Sequence, residues 1–328
     1  MNRQEDSLTN RDIAGMVTLR ANLLRQTRRF FDDLGFTEVQ PPCLSRDQVV
    51  DAHIDPVEVA GTALLLPRDT VATTYYLQTS PEFAMKRLIA MGCGSIYAIV
   101  PVFRAGERSN RHNIEFTMLE WYDVGGSMRT VVEQTLSLVT QVLGIPRPQV
   151  ITYRQLFRQS LGFDPIDEPL DTLHDAVAGV DTHLAVSLRN QRDEMLDVLM
   201  TEVIEPMVCK QSLVIQNYPL TQAALARQSD DDPQTAERFE WMIDGLEIAN
   251  GYGELLDADE LSRRNLQSNQ KRIATGRKPL PETSQLIDAM RSGMPRCGGV
   301  ALGFDRLVML ALGTRDIADV IAFPIELA

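Results

Sequence analysis

The chain lacks the features that would tie it to a membrane, a disulfide framework or a structural metal. None of its apolar runs approaches the roughly 20 residues that a transmembrane helix needs. Its first residues, MNRQEDSLTNRD, carry no apolar signal segment, so the expected location is cytoplasmic. The four cysteines, Cys43, Cys93, Cys209 and Cys297, are scattered and none forms a CxxC pair. That spacing argues against structural zinc and for reduced, mostly buried thiols. The sequence has no GxxxxGK[ST] loop, no strand-linked GxGxxG, no GxSxG elbow and no HExxH. P-loop, dinucleotide-binding, serine-hydrolase and zincin readings are therefore without support. Basic residues are also short: 32 Lys and Arg stand against 45 Asp and Glu, a formal net charge of −13. An acidic total argues against an extensive nucleic-acid footprint, which needs a basic face.

What is present is a chain of 328 residues, 44% apolar, enough for a sizeable core. Residues 1–10 read as a polar tail and 11–328 as a single domain. Ile13, Met16, Leu19, Leu23, Leu24, Phe30, Phe31 and Leu34 recur at helical spacing over residues 11–35. Thr9 or Asn10 is the expected cap, and Gly35 the stop. GFTEVQPPCLS reads as a short strand halted by Pro41 and Pro42. Residues 47–75 look irregular, with weak strands, Leu77–Pro81 extended and Glu82–Ala90 helical. Residues 128–144, 258–276, 282–292 and 305–312 read as helices, with strands at 213–218 and 300–303. Residues 150–210 form a mainly helical, polar insertion without a chemical motif. Hairpins with helices gathered around them predict an α+β fold with an antiparallel sheet.

Three constellations carry chemistry. The first is Phe103–Tyr122, FRAGERSNRHNIEFTMLEWY. Alternating segments at 96–104 and 115–122 predict a hairpin, with Phe116, Met118, Glu120 and Tyr122 on one face. Its tip holds Arg104, Glu107, Arg108, Arg111, His112 and Asn113, a density of cations suited to a polyphosphate. The second is FEWMIDGLEIANGYGEL, with Glu240, Glu247 and Glu254 at seven-residue intervals. Asp244-Gly245 predicts a two-residue turn that sets Met242 opposite Glu247 and Glu240 opposite Ala249. Residues 240, 242, 247 and 249 would then share a face, and two carboxylates that close call for a cation between them. Magnesium carrying phosphate is the natural occupant. The third is CGGVALGFDRLVMLALG, a glycine-rich strand feeding a helix with Arg306 in its first turn. Helix N-termini favour anions, and Gly298, Gly299 and Gly303 would let a flat ligand approach the backbone.

Taken together these segments resemble the three signature motifs of class II aminoacyl-tRNA synthetases: GFTEVQPPCLS, FRAGE…RHNIEFTMLEWY and GVALGFDRL. TSPEFAMKRL, HNIEFTMLEWY and LEIANGYGEL resemble the lysyl branch in particular. The resemblance runs from about residue 14 to the C-terminus and implies the class II catalytic fold. An anticodon-binding OB domain is expected to be missing, because the first catalytic helix begins within about a dozen residues of Met1. In that respect, and in its GVALG, the chain resembles the free-standing members of the branch that attach a lysine, typically (R)-β-lysine, to a lysine of elongation factor P. The resemblance implies ATP as a substrate, Mg2+, a homodimer and no membrane or tRNA partner. The alternatives are a truncated enzyme that charges tRNA or a tRNA-like RNA, and a catalytically silent regulatory paralogue. Retention of Arg104, Glu240, Glu247 and Arg306 speaks against the last.

The resemblance also implies roles for individual residues. Arg104 and Arg306 are catalytic. Ser80, Pro81 and Glu82 hold the amino group of the amino acid, while Tyr122 and Glu254 read its side-chain amine. Arg104, Ala105, Gly106, Glu107, Arg111, Asn113, Phe116, Glu247, Ile248, Gly303 and Arg306 contact ATP, with Phe116 stacking on adenine. Glu240 and Glu247 are metal ligands. Three departures stand out: Arg104-Ala105-Gly106-Glu107 in place of FRNE, Ile114 in place of proline, and Ala301 where lysyl-tRNA synthetases have glycine. One added methyl on the pocket floor discriminates between substrates by roughly 1–3 kcal/mol.

Overall fold

The computed structural model describes residues 12–65 and 73–328. The expected polar tail, with the Thr9 or Asn10 cap, lies outside the described residues. Helix α1, Ile13–Asp33, follows the apolar periodicity and is capped by Asp12, whose side chain accepts from the Gly15 N–H. Gly35, at φ +76°, terminates it in the left-handed region that favours glycine.

Next come β1 (Thr37–Glu38), β2 (Leu44–Ser45), β3 (Val57–Ala60) and β4 (Thr74–Leu77). β2, β4 and β3 form a small antiparallel sheet, which contains the short strands expected in that stretch. The extended run also lies earlier than Leu77–Pro81. Helix α2 (Glu82–Ala90) leads to the hairpin β5 (Ile96–Phe103) and β6 (Glu115–Val124), and α3 (Met128–Leu143) follows. Residues expected to open a helical insertion begin instead with an edge strand, β7 (Gln149–Thr152). After it come α4 (Tyr153–Leu161), α5 (Leu170–Ala178), α6 (Thr182–Ser187), α7 (Arg192–Leu199) and α8 (Glu205–Val208). The remaining elements are β8 (Ser212–Pro219), β9 (Thr235–Ile243), β10 (Leu246–Gly253), α9 (Ala258–Ala274), α10 (Gln285–Arg291), β11 (Cys297–Gly303) and α11 (Phe304–Leu312).

The main sheet has eight strands in the order β1-β5-β6-β11-β10-β9-β8-β7. The six inner strands are antiparallel, and only the outer strands β1 and β7 join in parallel. One face is the core. Leu119, Trp121, Phe239, Trp241, Val300 and Leu302 pack there against apolar residues of α1, α3 and α11. The helices after β7 enclose a second core with Ile215, Tyr218 and Met242, so this segment is far from purely polar. α2 covers the other end of the second face through Met85 and Ile89, which pack on Ile96, Ala98 and Val100. Between these two covers the second face of the sheet is left for a cleft.

Register decides what faces the cleft. Asp244 and Gly245, at φ +51° and +71°, form the expected turn, and Met242 stands opposite Glu247. Past that point the register shifts: Ala249 pairs with Trp241, and Glu240 pairs with Asn250 rather than Ala249. The extra residue sends both Ile248 and Ala249 into the core. Ala249 therefore does not share a face with Glu240, and Asn250 takes its place. The bulge is what allows Glu247 and Asn250 both to reach the cleft. A continuous cross-strand row results: Ala98, Glu120, Ala301, Asn250 and Glu240. The expectation for Gly298 also fails. An added Cβ there would meet the Ser127 carbonyl and Val131, so Gly298 serves close packing on α3. Gly299 faces the other way, and its Cβ would overlap Glu254 Oε1 and the Tyr122 ring.

The start of α11 is fixed by a buried pair. Arg20 of α1 lies 2.5 Å from Asp305 Oδ1 and donates to Thr117 Oγ1, while the Thr117 N–H donates to Asp305 Oδ2 at 2.6 Å. An unpaired carboxylate that is 3% exposed would be costly. Arg20 thus ties the helix bearing Arg306 to the strand bearing Glu120 and Tyr122.

Candidate active site

The cleft has two halves. The first is a buried acidic pocket. Ser80 Oγ donates to Glu120 Oε2 at 2.7 Å and accepts the Glu82 N–H at 3.0 Å. The Tyr122 hydroxyl donates to Glu120 Oε1 at 2.6 Å. Lys86 lies one turn after Glu82 on α2, its Nζ 2.5 Å from Glu82 Oε1 and 2.5 Å from Glu254 Oε2. The second contact is an ion pair without hydrogen-bond alignment, and Glu254 Oε2 has no hydrogen-bond donor among the described residues. Glu120 and Glu254 are each 1% exposed and Lys86 2%.

Electrostatics follow from that burial. Burial, reinforced by the charge of Glu82, pushes the Glu120 carboxyl up to about 8 despite the Tyr122 and Ser80 hydrogen bonds. Burial likewise raises Glu254 to about 7, against the attraction of Lys86. Burial alone would depress Lys86, but Glu254 and Glu82 outweigh it and hold the ammonium well above its ordinary value. Carboxyls raised above their ordinary value contribute stability that is complete below about 4.5 and is lost as pH rises through about 7 to 8. The protein without ligand should therefore lose about 4 °C of melting temperature between roughly pH 5.5 and 8.5, and Glu120→Gln should flatten the upper part of that fall. Calorimetry across this range checks it, and an identical slope in wild type and variant would exclude Glu120 as the source.

The second half is basic. The Arg104 guanidinium lies 5.1 Å from the centre of the Phe116 ring, and its Nε donates to the Thr79 carbonyl at 3.3 Å. Glu107 is a loose partner at 3.7 Å, and Gly106 takes φ +78°. The Ala105 N–H donates to the Asp55 carbonyl at 2.7 Å, which anchors the loop. Arg111 reaches across to the Gly245 carbonyl at 3.0 Å. Arg306 donates to the Glu247 carbonyl at 2.6 Å and lies 3.9 Å from its carboxylate. Its other terminal nitrogen is 3.0 Å from His112 Nε2. Because arginine can only donate, His112 is held neutral with its proton on Nδ1, directed at Ser109 Oγ 2.8 Å away. Burial first, then Arg306, lowers the histidine's pKa.

Between the halves lie Glu240 and Glu247. Glu240 accepts from Arg238 at 2.5 Å, Asn250 at 3.2 Å and Tyr218 at 2.8 Å. Glu247 is much freer, with its side chain 41% exposed. Enclosure at its base and the neighbouring Glu240 raise its carboxyl. Among the described residues no cluster of three or more His, Cys, Asp or Glu forms a metal cage. This geometry offers a strong anionic ligand in Glu247, a largely engaged one in Glu240, and adjacent cations for phosphate.

Sequence comparison gives this cleft a family. Residues 2–327 match the model of the class II tRNA synthetases (D, K and N). The chain belongs to this class II family. Among its relatives are the elongation factor P–(R)-beta-lysine ligases of Salmonella arizonae and Salmonella gallinarum, each 42% identical over 310 residues, covering 94% of this chain and 94% of theirs. The corresponding ligase of Salmonella dublin is 41% identical over the same span.

Within the class II cleft, most of the expected residues come together: Ser80, Glu82, Tyr122, Glu254 and Ala301 at one end, and Arg104, Ala105, Gly106, Glu107, Arg111, Phe116, Glu247 and Arg306 at the other. Gly303 caps α11 beside Arg306. Pro81 only opens α2. Two of the expected ATP contacts have side chains engaged within the protein. Ile248 is 1% exposed inside the core, so its side chain is unavailable to a nucleotide. Asn113 is buried, with its amide donating to the Glu115 carbonyl and accepting the Ile325 N–H, so it braces the loop. Sequence reasoning missed Lys86, Glu120, Asn250 and Arg238 as parts of the site, and gave His112 only a place at the hairpin tip without a role. Glu120 was detectable, since it alternates with Tyr122 on the inward face, and Lys86 stands four residues after Glu82. Asn250 depended on the bulge, while Arg238 alternates with Glu240 on β9.

Proposed function

We propose that the protein activates lysine or (R)-β-lysine with ATP as an aminoacyl-adenylate and transfers it to a lysine ε-amine of elongation factor P. The observation that carries this reading is the pairing of a buried tri-carboxylate pocket with an arginine-lined, phosphate-sized half on one sheet face. The names of relatives matched over 94% of both chains supply the acceptor. In the first step a substrate carboxylate oxygen bonds to the α-phosphorus, and the bond to the bridging oxygen breaks to release pyrophosphate. Arg104 and Arg306 neutralise the charge that develops there. In the second step the unprotonated acceptor amine attacks the adenylate carbonyl, the bond to AMP breaks and the amine gives up a proton. Glu82 and Ser80 hold the substrate's amino group, while Tyr122 and Glu254 hold its distal amine. Phe116 stacks on adenine.

Glu247, with Glu240 beside it, would hold Mg2+, which would shield phosphate charge. A homodimer in the cytoplasm completes the reading; no helix among the described residues is long and apolar enough to cross a membrane.

Ala301, between Glu120 and Asn250 on the pocket floor, sets the position of the backbone amine. Ala301→Gly should shift selectivity towards α-lysine by roughly tenfold or more, the value of one methyl. ATP–pyrophosphate exchange with the two isomers measures it, and an unchanged ratio would remove Ala301 from specificity. The same exchange assay tests the activation step itself: wild-type protein should support exchange with lysine or β-lysine and not with norleucine.

A further inference from the structure

Lys86 is a buried cation that the amino-acid activation chemistry does not use. It sits inside the pocket, bridging two of its three carboxylates, and its ammonium lies 5.8 Å from the centre of the Tyr122 ring. Glu120, by contrast, is held only by the neutral hydroxyls of Ser80 and Tyr122. With all groups ionised, three carboxylates and one ammonium give the pocket a net charge of −2. An amino acid with two ammonium groups supplies the two compensating positive charges, while its carboxylate faces Arg104 in the other half of the cleft. We infer that Lys86 is a specificity-determining positioning residue: it spaces Glu82 and Glu254 and fixes the pocket's charge so that a doubly cationic amino acid is its complement. The inference rests on the proposed function and deepens it.

The physical reasoning concerns like charges. Glu82 on α2, Glu254 after β10 and Glu120 on β6 would repel one another without a cation among them. Lys86 also lies over the Tyr122 ring of β6 and near the buried Cys297 thiol of β11. Tyr252 of β10 lies near Glu82 and Glu254. Arg227, the next cation towards Glu254, is committed to Glu237 at 2.5 Å. No other described cation is positioned to replace Lys86 between Glu82 and Glu254. Without it, carboxyls already raised by burial are raised further and keep their protons to higher pH, and a protonated carboxyl does not pair with an ammonium group. The lost function would return as pH rises.

The test is the pH profile of kcat/KM for lysine and β-lysine in ATP–pyrophosphate exchange. Lys86→Met should raise the amino-acid KM about tenfold or more near pH 7 and move the rising limb of the profile upward by roughly one pH unit. The KM for ATP should remain within about twofold. Lys86→Arg should restore the wild-type limb even if its activity is reduced. Lys86→Gln, which keeps donors for both carboxylates, should behave like Lys86→Met and serves if the methionine variant does not fold. A uniform loss at every pH, with the limb unmoved, would overturn the inference while leaving the proposed function intact. Absence of exchange with any diamino acid in the wild-type protein would instead overturn both.

Discussion

Glu247→Ala should abolish adenylate formation, lowering ATP–pyrophosphate exchange by about 10³-fold or more. Glu247 is the one carboxylate of the central pair that is largely unengaged: Glu240 already serves Arg238, Asn250 and Tyr218. Its carboxylate also lies 3.9 Å from Arg306, whose guanidinium is hydrogen-bonded to the Glu247 backbone. On the proposed reading, truncation removes the main anchor of Mg2+ while that backbone contact survives, so the loss should fall on turnover with little change in fold. A melting temperature within a few degrees of wild type would verify the second point. Near-normal exchange in Glu247→Ala would remove the assignment of this residue to the metal.

Arg104→Ala should be nearly as severe, with exchange reduced about 10³-fold and most of the effect in kcat. Arg104 is held over Phe116 and under the Thr79 carbonyl, so its planar fork is oriented before any substrate arrives. On the proposed reading it is the group that meets both the substrate carboxylate and the α-phosphate, next to the acidic pocket through Thr79 and Ser80. A charge at that point matters most when the pentavalent phosphorus forms, because negative charge is then greatest. Arg104→Lys should recover little, since a single ammonium group cannot bridge two oxyanions in a fixed plane. Substantial recovery by lysine would show that charge alone suffices. A pure KM effect would move Arg104 from transition-state stabilisation to ground-state binding.

Much of this architecture was legible in the sequence because it depends on local patterns. Alternation gave β5 and β6 almost to the residue, Asp244-Gly245 gave the second hairpin turn, and Leu307, Val308 and Met309 gave an apolar helix. What remained hidden depends on long-range register. The bulge at Ile248 reversed the expected facing of Ala249 and brought Asn250 into the cleft, while Ile248 faces the core as alternation already implies. No propensity of Ile248 or Ala249 signals this; the sheet partners on both sides impose it. Gly298 and Gly299 are neighbours in sequence, yet one packs on a helix and the other makes room for Glu254 and Tyr122. Strand β7 was hidden because its short edge segment leads directly into helices. Lys86 was overlooked because a lysine on a surface-like helix is ordinarily solvated, and its burial depends on Glu254, which is distant in sequence.

The central claim is that this cleft activates a diamino acid for transfer to a protein amine. Its most direct test incubates purified protein with ATP, Mg2+ and labelled (R)-β-lysine or lysine, offering elongation factor P in one reaction and tRNA in another. Mass spectrometry and acid-precipitable counts then locate the label. The account predicts label on one lysine of elongation factor P, dependent on ATP and lost in Arg104→Ala, with none on tRNA. Label on tRNA but not on elongation factor P would contradict it.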